Sequence, residues 1–326
     1  MRRRDFLVLL GAPALCHAAT VDYVKVVPGK KFVFPRDHGA HPEFRTEWWY
    51  VTGWLDGPVG FQITFFRARP EEESANPSAF NPRQVLFAHA AISDPKRGRL
   101  LHDERAARAG FSLAHVEAGR TGVRIDDWRL ELEGMRYEAR IASRDFQLEL
   151  TLIAGRTVLQ GDAGYSRKGH RPGEASYYYS RPQLNVAGKL NGKDVGGTAW
   201  LDHEWSSAYL APEAAGWDWA GINLRDHDAL MAFRMRNKDG GVHYAPGGTM
   251  MKPLRWWKSP RTGVRYPVSM EVNGLRLEPL MDDQELDSRA STGTVYWEGA
   301  VSAYSGNILF GRGYLELTGY WKPMKL

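Results

Sequence analysis

The feature that most constrains the fold is a strict alternation of apolar and polar residues in short runs. Residues 146–152 alternate without interruption. The same pattern recurs at residues 61–65, 130–132, 231–235 and 268–272. Successive side chains of a strand point to opposite faces, so the pattern indicates strands with one buried face. Turns bearing Gly, Pro or Asp separate the runs, and short antiparallel strands joined in this way are typical of barrels and sandwiches.

A weak internal repeat sets the expected number of domains. A shift of 169 residues places Trp48 on Trp217 and Tyr50 on Trp219, and each copy continues as strand, tight turn and strand. Long helical periodicity is absent, and the two segments with room for a helical turn, residues 103–109 and 282–288, could equally be loops. We therefore expect an all-β chain of two related barrels in tandem.

The first nineteen residues have the composition of an export signal. Arg3-Arg4-Asp5-Phe6-Leu7 resembles a twin-arginine motif, and a short apolar run and the small residues Ala18 and Ala19 follow it. The run is too short to span a bilayer. The alternative is a frayed basic terminus. We expect residues 1–19 to be a twin-arginine signal peptide, the mature protein to be periplasmic or secreted, and no transmembrane segment to remain after cleavage.

Charge and motif content exclude several classes of function. The formal net charge is +5, and removal of residues 1–19 leaves +3, with basic residues interspersed among acids, so we expect no nucleic-acid partner. The single cysteine, Cys16, lies within the signal, and the chain has no Gly-x-Ser-x-Gly motif, which argues against a cysteine or serine hydrolase. His41 and His89 stand at no metal-ligand spacing from another His or Cys. We expect neither a metal nor any other cofactor.

Several segments, in one order along the chain, resemble a known family. They are His41-Pro42-Glu43-Phe44-Arg45-Thr46-Glu47-Trp48-Trp49-Tyr50, Phe61-Gln62-Ile63-Thr64-Phe65-Phe66-Arg67, Ala88-His89-Ala90-Ala91-Ile92-Ser93, Trp200-Leu201-Asp202-His203-Glu204-Trp205, Tyr296-Trp297-Glu298-Gly299-Ala300 and Gly313-Tyr314-Leu315-Glu316-Leu317-Thr318-Gly319-Tyr320. The chain resembles the AttH/CrtC group, which includes carotenoid 1,2-hydratase, also called hydroxyneurosporene synthase, and AttH-type secreted proteins that accompany ABC transporters. The resemblance implies two lipocalin-like antiparallel β-barrels in tandem, which we assign to residues 20–205 and 206–326.

The resemblance also implies that some relatives hydrate isoprenoid double bonds. Such a reaction needs an acid, and burial can raise the pKa of a carboxyl enough for it to deliver a proton. Our candidate catalytic residues are Asp202, His203 and Asp218; alternation places His203 on the opposite strand face from Asp202. Family hydratases place an Asp near a Tyr in the second half, whereas this chain has only Tyr296-Trp297-Glu298 and Tyr314-Leu315-Glu316 there.

Aromatic residues around these acids predict a site for a large apolar ligand. The candidate ligand-binding residues are Trp48, Tyr50, Tyr178, Trp200, Trp205, Trp217, Trp219, Trp297 and Glu298. We expect Asp202, His203, Trp205 and Asp218 to border one apolar cavity at the junction of the barrels. The alternative is that the acids form ion pairs with Arg at the barrel rim and that His203 is a core residue. Glu47 is expected to pair with Arg45 or Arg67.

Two classes of function follow. The first is a cofactor-independent hydratase that adds water across a C=C bond of an isoprenoid or lipid-like molecule. The second is a non-catalytic carrier of the lipocalin type, which binds such a molecule and works with an ABC transporter.

Overall fold

The computed structural model describes residues 19–73 and 83–325, which form an almost all-β protein. Helical structure in these residues is limited to two 3₁₀ turns, Arg36–His38 and Pro95–Arg97. No described helix is long and apolar enough to cross a membrane. The predicted signal peptide lies outside the described residues except for Ala19, which belongs to a short ladder between β1 (Ala19–Thr20) and β4 (Glu72–Glu73).

The larger sheet has thirteen antiparallel strands and curls into a nearly closed barrel, which we call the first barrel. Its strands are β2 (Thr46–Leu55), β3 (Val59–Ala68), β5 (Val85–Ser93), β6 (Leu101–Arg108), β7 (Ala114–Val116), β8 (Gly122–Ile125), β9 (Trp128–Glu133), β10 (Arg136–Ala142), β11 (Gln147–Ile153), β12 (Val158–Leu159), β13 (Tyr165–Arg167), β14 (Ala175–Leu190) and β15 (Lys193–Ser206). The main order is β6-β5-β3-β2-β15-β14-β11-β10-β9-β8-β7, and β12 and β13 add to β14.

The smaller sheet has nine antiparallel strands and forms a half-barrel, which we call the second barrel. Its strands are β16 (Ala214–Leu224), β17 (Ala229–Asn237), β18 (Val242–Tyr244), β19 (Met251–Lys258), β20 (Arg265–Val272), β21 (Leu275–Pro279), β22 (Glu285–Ser288), β23 (Thr294–Ser305) and β24 (Ile308–Leu317). The order is β18-β17-β16-β24-β23-β21-β20-β19, and β22 adds to β23.

Matching registers in the two sheets support the internal repeat. Trp48 of β2 lies opposite Phe66 of β3, and Trp217 of β16 lies opposite Met235 of β17. Phe66 and Met235 are thus separated by 169 residues, as Trp48 and Trp217 are. In each sheet the opening strand also pairs with the closing strand, β15 or β24. The two lipocalin-like barrels expected from the sequence are therefore present, while the domain boundary at residue 205 stays a prediction.

The cores follow from alternation along the strands. On β11, Leu148, Leu150 and Leu152 point into the first barrel and are essentially inaccessible, whereas the residues between them face outward. The helical turns considered for residues 103–109 and 282–288 do not form. The first segment lies almost entirely in edge strand β6, and the second ends in β22, because each backbone pairs with a neighbouring strand instead.

A third apolar cluster joins the barrels and places their outer faces against each other. Trp54 of the first barrel donates from Nε1 to the backbone oxygen of Gly313 over 2.9 Å. Gly60 permits this approach, since a Cβ there would lie 2.5 Å from the Cβ of Ala300 and 2.7 Å from the hydroxyl of Tyr314. The contact leaves a gap further along the same strands, and that gap forms the candidate site.

Candidate functional site

A cavity of about 590 Å³ lies between the two barrels. The first barrel lines it with residues of β2, β3, β5 and β15, and the second with residues of β16, β23 and β24. Residues 291–294, the C-terminal residues 322–325, Tyr209 and Thr318 complete the lining. The cavity therefore lies outside the interior of the first barrel, whose core side chains fill that space.

Strand β15 supplies the acids of one wall. Because its side chains alternate, Asp202 and Glu204 face the cavity. Leu201 and Trp205 point into the apolar core of the first barrel, and His203 is buried on the same side of the strand. Asp202 lies opposite Tyr50 on the neighbouring strand β2. The two acids are almost fully inaccessible to solvent.

Asp202 combines a buried carboxyl with a dense set of donors. Trp200 Nε1 donates to Oδ1 over 2.7 Å, the Tyr178 hydroxyl donates to Oδ2 over 2.7 Å, and the Ser180 hydroxyl donates to Oδ1. Burial raises the pKa of Asp202 to about 7, although these three donors act in the opposite direction by stabilising the carboxylate. The side chain is thus poised to exchange a proton near neutral pH.

Glu204 is held by a buried lysine. Lys168 Nζ lies 2.7 Å from Oε1 of Glu204 and 4.0 Å from the ring centroid of Phe233, and the Ser176 hydroxyl donates to the same carboxylate oxygen. Burial lowers the pKa of Lys168 and raises that of Glu204, and the attraction between the two charges opposes both shifts. The pair therefore places a cation beside the acids that β15 contributes to the cavity.

The second barrel contributes a pair of acids directly opposite each other, Glu298 on β23 and Glu316 on β24. Trp217 Nε1 donates to Oε2 of Glu316 over 2.8 Å, whereas Oε1 of Glu298 has no regular hydrogen-bond partner among the described residues. Burial raises the pKa of Glu316 to about 7. Burial and the charge of Glu316 raise the pKa of Glu298 well above its usual value, against the opposing effect of the Tyr50 and Tyr296 hydroxyls. Two facing carboxyls in a dry site retain a proton between them.

Aromatic rings from both barrels form the rest of the wall. Trp48 packs edge-on against Tyr209 at 4.9 Å between ring centroids, and Tyr209 packs similarly against Trp217 at 5.4 Å. Tyr50 packs edge-on against Trp219 at 5.3 Å. Rings of this kind accommodate an apolar ligand and can stabilise a cation at their faces.

Five of the nine candidate ligand-binding residues line the cavity, namely Trp48, Tyr50, Trp217, Trp219 and Glu298. Tyr178 and Trp200 stand behind Asp202 as its hydrogen-bond donors. Trp205 and Trp297 lie in the cores of the first and second barrel and do not border the cavity. Each is the neighbour in sequence of a glutamate that does border the cavity, Glu204 or Glu298, so its side chain points to the opposite face of the strand.

Two candidate catalytic residues are placed elsewhere, which corrects the expectation that they border this cavity. His203 lies inside the first barrel, with Nε2 2.9 Å from Oε1 of Glu47. Burial lowers the pKa of His203 to about 4. Asp218 points away from the cavity, because it alternates with Trp217 and Trp219 on β16; it forms ion pairs with Arg234 and Arg236 at 2.7 and 2.8 Å.

His41, Glu47 and His203 bring potential metal-ligand atoms within 4.8 Å of one another. Glu47 already accepts from His41 at 2.8 Å and lies 2.9 Å from His203, and Arg67 Nε donates to its other oxygen over 2.9 Å. The Glu47–Arg67 pair expected from the sequence is thus confirmed. A divalent cation would have to replace both His contacts beside the buried Arg67 guanidinium, so this donor set fits a hydrogen-bonded cluster better than a metal site.

Three residues of the site were not predicted from the sequence, namely Glu316, Lys168 and His89. His89 of β5 lines the cavity and lies 2.8 Å from the Tyr296 hydroxyl. The one available signal was the repeated Tyr-x-Glu pattern of β23 and β24, which places both glutamates in the site. Chemically, the cavity can give a proton to a bound molecule on one wall and accept one on the other.

The comparisons with known proteins agree with this architecture. Residues 25–320 match the model of the AttH-like family. The crystal structure of a protein assigned as AttH from Nitrosomonas europaea is 49% identical in sequence, covers 91% of this chain and 99% of its own, and superposes with a TM-score of 0.84. Kievitone hydratase from Nectria haematococca shares the fold at 12% identity, with 93% and 98% coverage and a TM-score of 0.60. No curated protein sequence matches the chain. The match over most of its length shows that this chain belongs to the AttH-like family.

Proposed function

We propose that the cavity between the barrels catalyses proton transfer to an unsaturated apolar small molecule, and specifically the addition of water across a C=C bond. The observation that carries the proposal is that Asp202 and Glu316, on walls from different barrels, both have pKa values near 7 in one aromatic cavity. Such values suit groups that exchange protons at neutral pH. A volume of about 590 Å³ also falls in the range of small-molecule sites.

The two acid groups have different roles in this scheme. The Glu298–Glu316 pair holds the transferable proton, because burial and the charge of Glu316 raise the pKa of Glu298 well above its usual value, although the Tyr50 and Tyr296 hydroxyls act in the opposite direction. One carbon of the C=C bond takes this proton, and the neighbouring carbon becomes positively charged beside the faces of Trp217 and Trp219. A water molecule then bonds to that carbon and loses a proton to Asp202, whose three donors stabilise the carboxylate form. The product is an alcohol.

Burial of four acids is difficult to explain by binding alone. Asp202, Glu204, Glu298 and Glu316 face one cavity, and in the described chain Lys168 is the cation in direct contact with one of them. Each raised pKa means that the folded state is destabilised when the group ionises. Destabilising, ionisable groups clustered in a cavity are characteristic of active sites. The family resemblance to hydratases of isoprenoid double bonds supports the same reaction class.

The experiment is a search for oxygen incorporation from water. The purified protein is incubated with a panel of acyclic and cyclic unsaturated isoprenoids in ¹⁸O-labelled water, and alcohols are detected by mass spectrometry. We expect D202N and E316Q to lower the rate by at least about 100-fold, because an amide cannot transfer the proton. Ligand binding, measured by quenching of tryptophan fluorescence, should change by less than about threefold.

Asp194→Asn is the matched control, because Asp194 lies on the same strand as Asp202 but its side chain is 90% exposed. This variant should retain the wild-type rate. Equal rates in D202N, E316Q and the wild type would show that these acids do not transfer the proton, and the proposal would be wrong.

A second function is favoured by the aromatic part of the wall. Trp48, Tyr209 and Trp217 form a continuous apolar surface that would bind a lipid-like molecule without any reaction. A carrier of this kind, working with an ABC transporter, would retain its bound molecule unchanged in native mass spectrometry and produce no ¹⁸O-labelled alcohol. We also propose, from the Arg3-Arg4 motif, that the protein is exported to the periplasm or beyond.

A further inference from the structure

We infer that Glu104, Ser291, His89 and Tyr296 form a proton relay between the protein surface and Glu298. The inference rests on the proposed function, since it concerns how the proton-donating glutamates regain a proton. None of these four residues was assigned such a role by the sequence. They come from both barrels, because Glu104 and His89 belong to β6 and β5, Ser291 to the loop before β23, and Tyr296 to β23.

The four side chains form an unbroken series of contacts. His89 lies between two partners, with Nδ1 2.8 Å from the Tyr296 hydroxyl and Nε2 2.9 Å from Oγ of Ser291. The Ser291 hydroxyl donates to Oε2 of Glu104, which also accepts from the backbone N–H of Ser291 over 2.9 Å. Glu104 is half-buried, whereas His89 and Tyr296 are fully buried, so the series runs from the protein edge inward.

The direction of each hydrogen bond follows from the ends of the series. An ionised Glu104 can only accept, so the single proton of the Ser291 hydroxyl is committed to it. The Ser291 oxygen then accepts from Nε2–H of His89, which leaves Nδ1 bare to accept from the Tyr296 hydroxyl. A neutral imidazole is required, and burial lowers the pKa of His89 to about 3.

The inner end of the relay is the Glu298 carboxyl beside Tyr296. Burial and the nearby glutamates raise the pKa of Tyr296 well above its usual value, so its phenol keeps its proton. Its oxygen retains a lone pair for the protonated carboxyl of Glu298, whose own pKa burial also raises. In the resting state all donors thus point from Glu298 toward Glu104. This is the arrangement that one inward transfer leaves behind, after Glu104 has passed a proton to Ser291, Ser291 has passed one to Nε2 of His89, Nδ1 of His89 has passed one to Tyr296, and Tyr296 has passed one to Glu298. Before the next transfer the donors must turn back, with the His89 proton on Nδ1.

A relay is needed because the residue that gives a proton to the substrate is not the residue that later accepts one from water. Each turnover leaves the Glu298–Glu316 pair short of one proton and Asp202 with one in excess. An apolar molecule in the cavity keeps water away from the pair. A proton that enters at Glu104 and emerges at Glu298 restores the donor without water beside the glutamate pair, while Asp202 loses its extra proton when the product leaves.

The first test needs no substrate. Protein labelled with ¹⁵N-histidine is examined by NMR at pH 7, with His89→Gln to assign the signals. The relay predicts that His89 is neutral and carries its proton on Nε2. A proton on Nδ1, or a charged imidazolium, would reverse or break the series of donors and overturn the inference whatever the protein catalyses.

The second test uses turnover of the isoprenoid identified by ¹⁸O incorporation. Glu104 does not line the cavity, so Glu104→Gln should leave KM unchanged and lower kcat by about tenfold or more in dilute buffer. Millimolar imidazole, which can give a proton near neutral pH and is small enough to replace the lost carboxyl beside Ser291, should restore part of the rate. Asp103→Asn, a change in the adjacent carboxyl outside the relay, should behave as the wild type.

The outcomes separate the two proposals. If D202N and E316Q are inactive and Glu104→Gln retains full kcat at every buffer concentration, hydration stands and the relay is wrong. If D202N and E316Q keep wild-type rates, the proposed function itself fails. A loss of rate in Glu104→Gln without any rescue by added buffer would indicate a structural role for Glu104 and would also contradict the relay.

Discussion

The buried Asp202 should make the stability of the protein depend on pH in a way that Asp202→Asn removes. The carboxyl has a pKa of 3.8 when exposed and about 7 in the folded protein. The folded state therefore binds this proton more tightly, and the stabilisation is complete below pH 3.8 and is lost as the pH rises through 7. A shift of this size corresponds to about 4 kcal/mol, since one pKa unit is equivalent to about 1.4 kcal/mol.

Urea unfolding followed by tryptophan fluorescence between pH 4 and 8 measures this effect. The free energy of unfolding of the wild type minus that of D202N should fall by about 4 kcal/mol over the range, with a steepest slope of about 1.4 kcal/mol per pH unit. Buried histidines titrate in both proteins and largely cancel in the difference. Asp194→Asn, at an exposed position, should show a flat difference. A change of less than about 1 kcal/mol for D202N would refute the assigned pKa.

Three further predictions concern the fold, its ion pairs and export. Asp218→Ala should lower the free energy of unfolding by about 3–5 kcal/mol because the buried Arg236 and the half-buried Arg234 lose their partner, while ligand affinity of the cavity stays the same; unchanged stability in urea would contradict the ion-pair assignment. Gly60→Ala should cost about 1–3 kcal/mol and lower Tm because its methyl group meets the second barrel, whereas Gly155→Ala, at an open position, should be tolerated; equal melting temperatures would argue against the close approach. Replacement of Arg3 and Arg4 by Lys should leave the precursor in the cytoplasmic fraction, and normal export would show that the signal was misassigned.

The fold was accessible from the sequence because hairpins are local. Alternation along residues such as 146–152, together with the turns between runs, predicted the strands, and the 169-residue shift predicted the shared register of β2–β3 and β16–β17. The edge strand β6 was missed as a strand because its many charges obscure alternation. Its pairing with β5 is a tertiary contact that no local pattern encodes.

Only part of the site could be predicted, and the errors have a common cause. Alternation alone places Asp218 on the face opposite Trp217 and Trp219, and His203 on the face opposite Asp202, so neither could share the cavity with its neighbours. Nearness to tryptophan in the sequence favoured both residues as site residues, whereas the alternation of side chains along the strand excludes them. Glu316 reaches the cavity from more than 100 residues beyond Asp202, through the pairing of β24 with β16, and no short motif could reveal that contact.

Infrared spectra recorded across a pH titration would show directly whether the cavity holds protonated carboxyls near neutral pH. Difference spectra of the wild type against D202N and against E316Q isolate the carbonyl stretch of each protonated acid. We expect both bands to be present at pH 6 and to disappear with midpoints near pH 7. Bands already absent at pH 5 would mean that both acids are ionised throughout the neutral range, and the assignment of the cavity as a proton-transfer site would be contradicted.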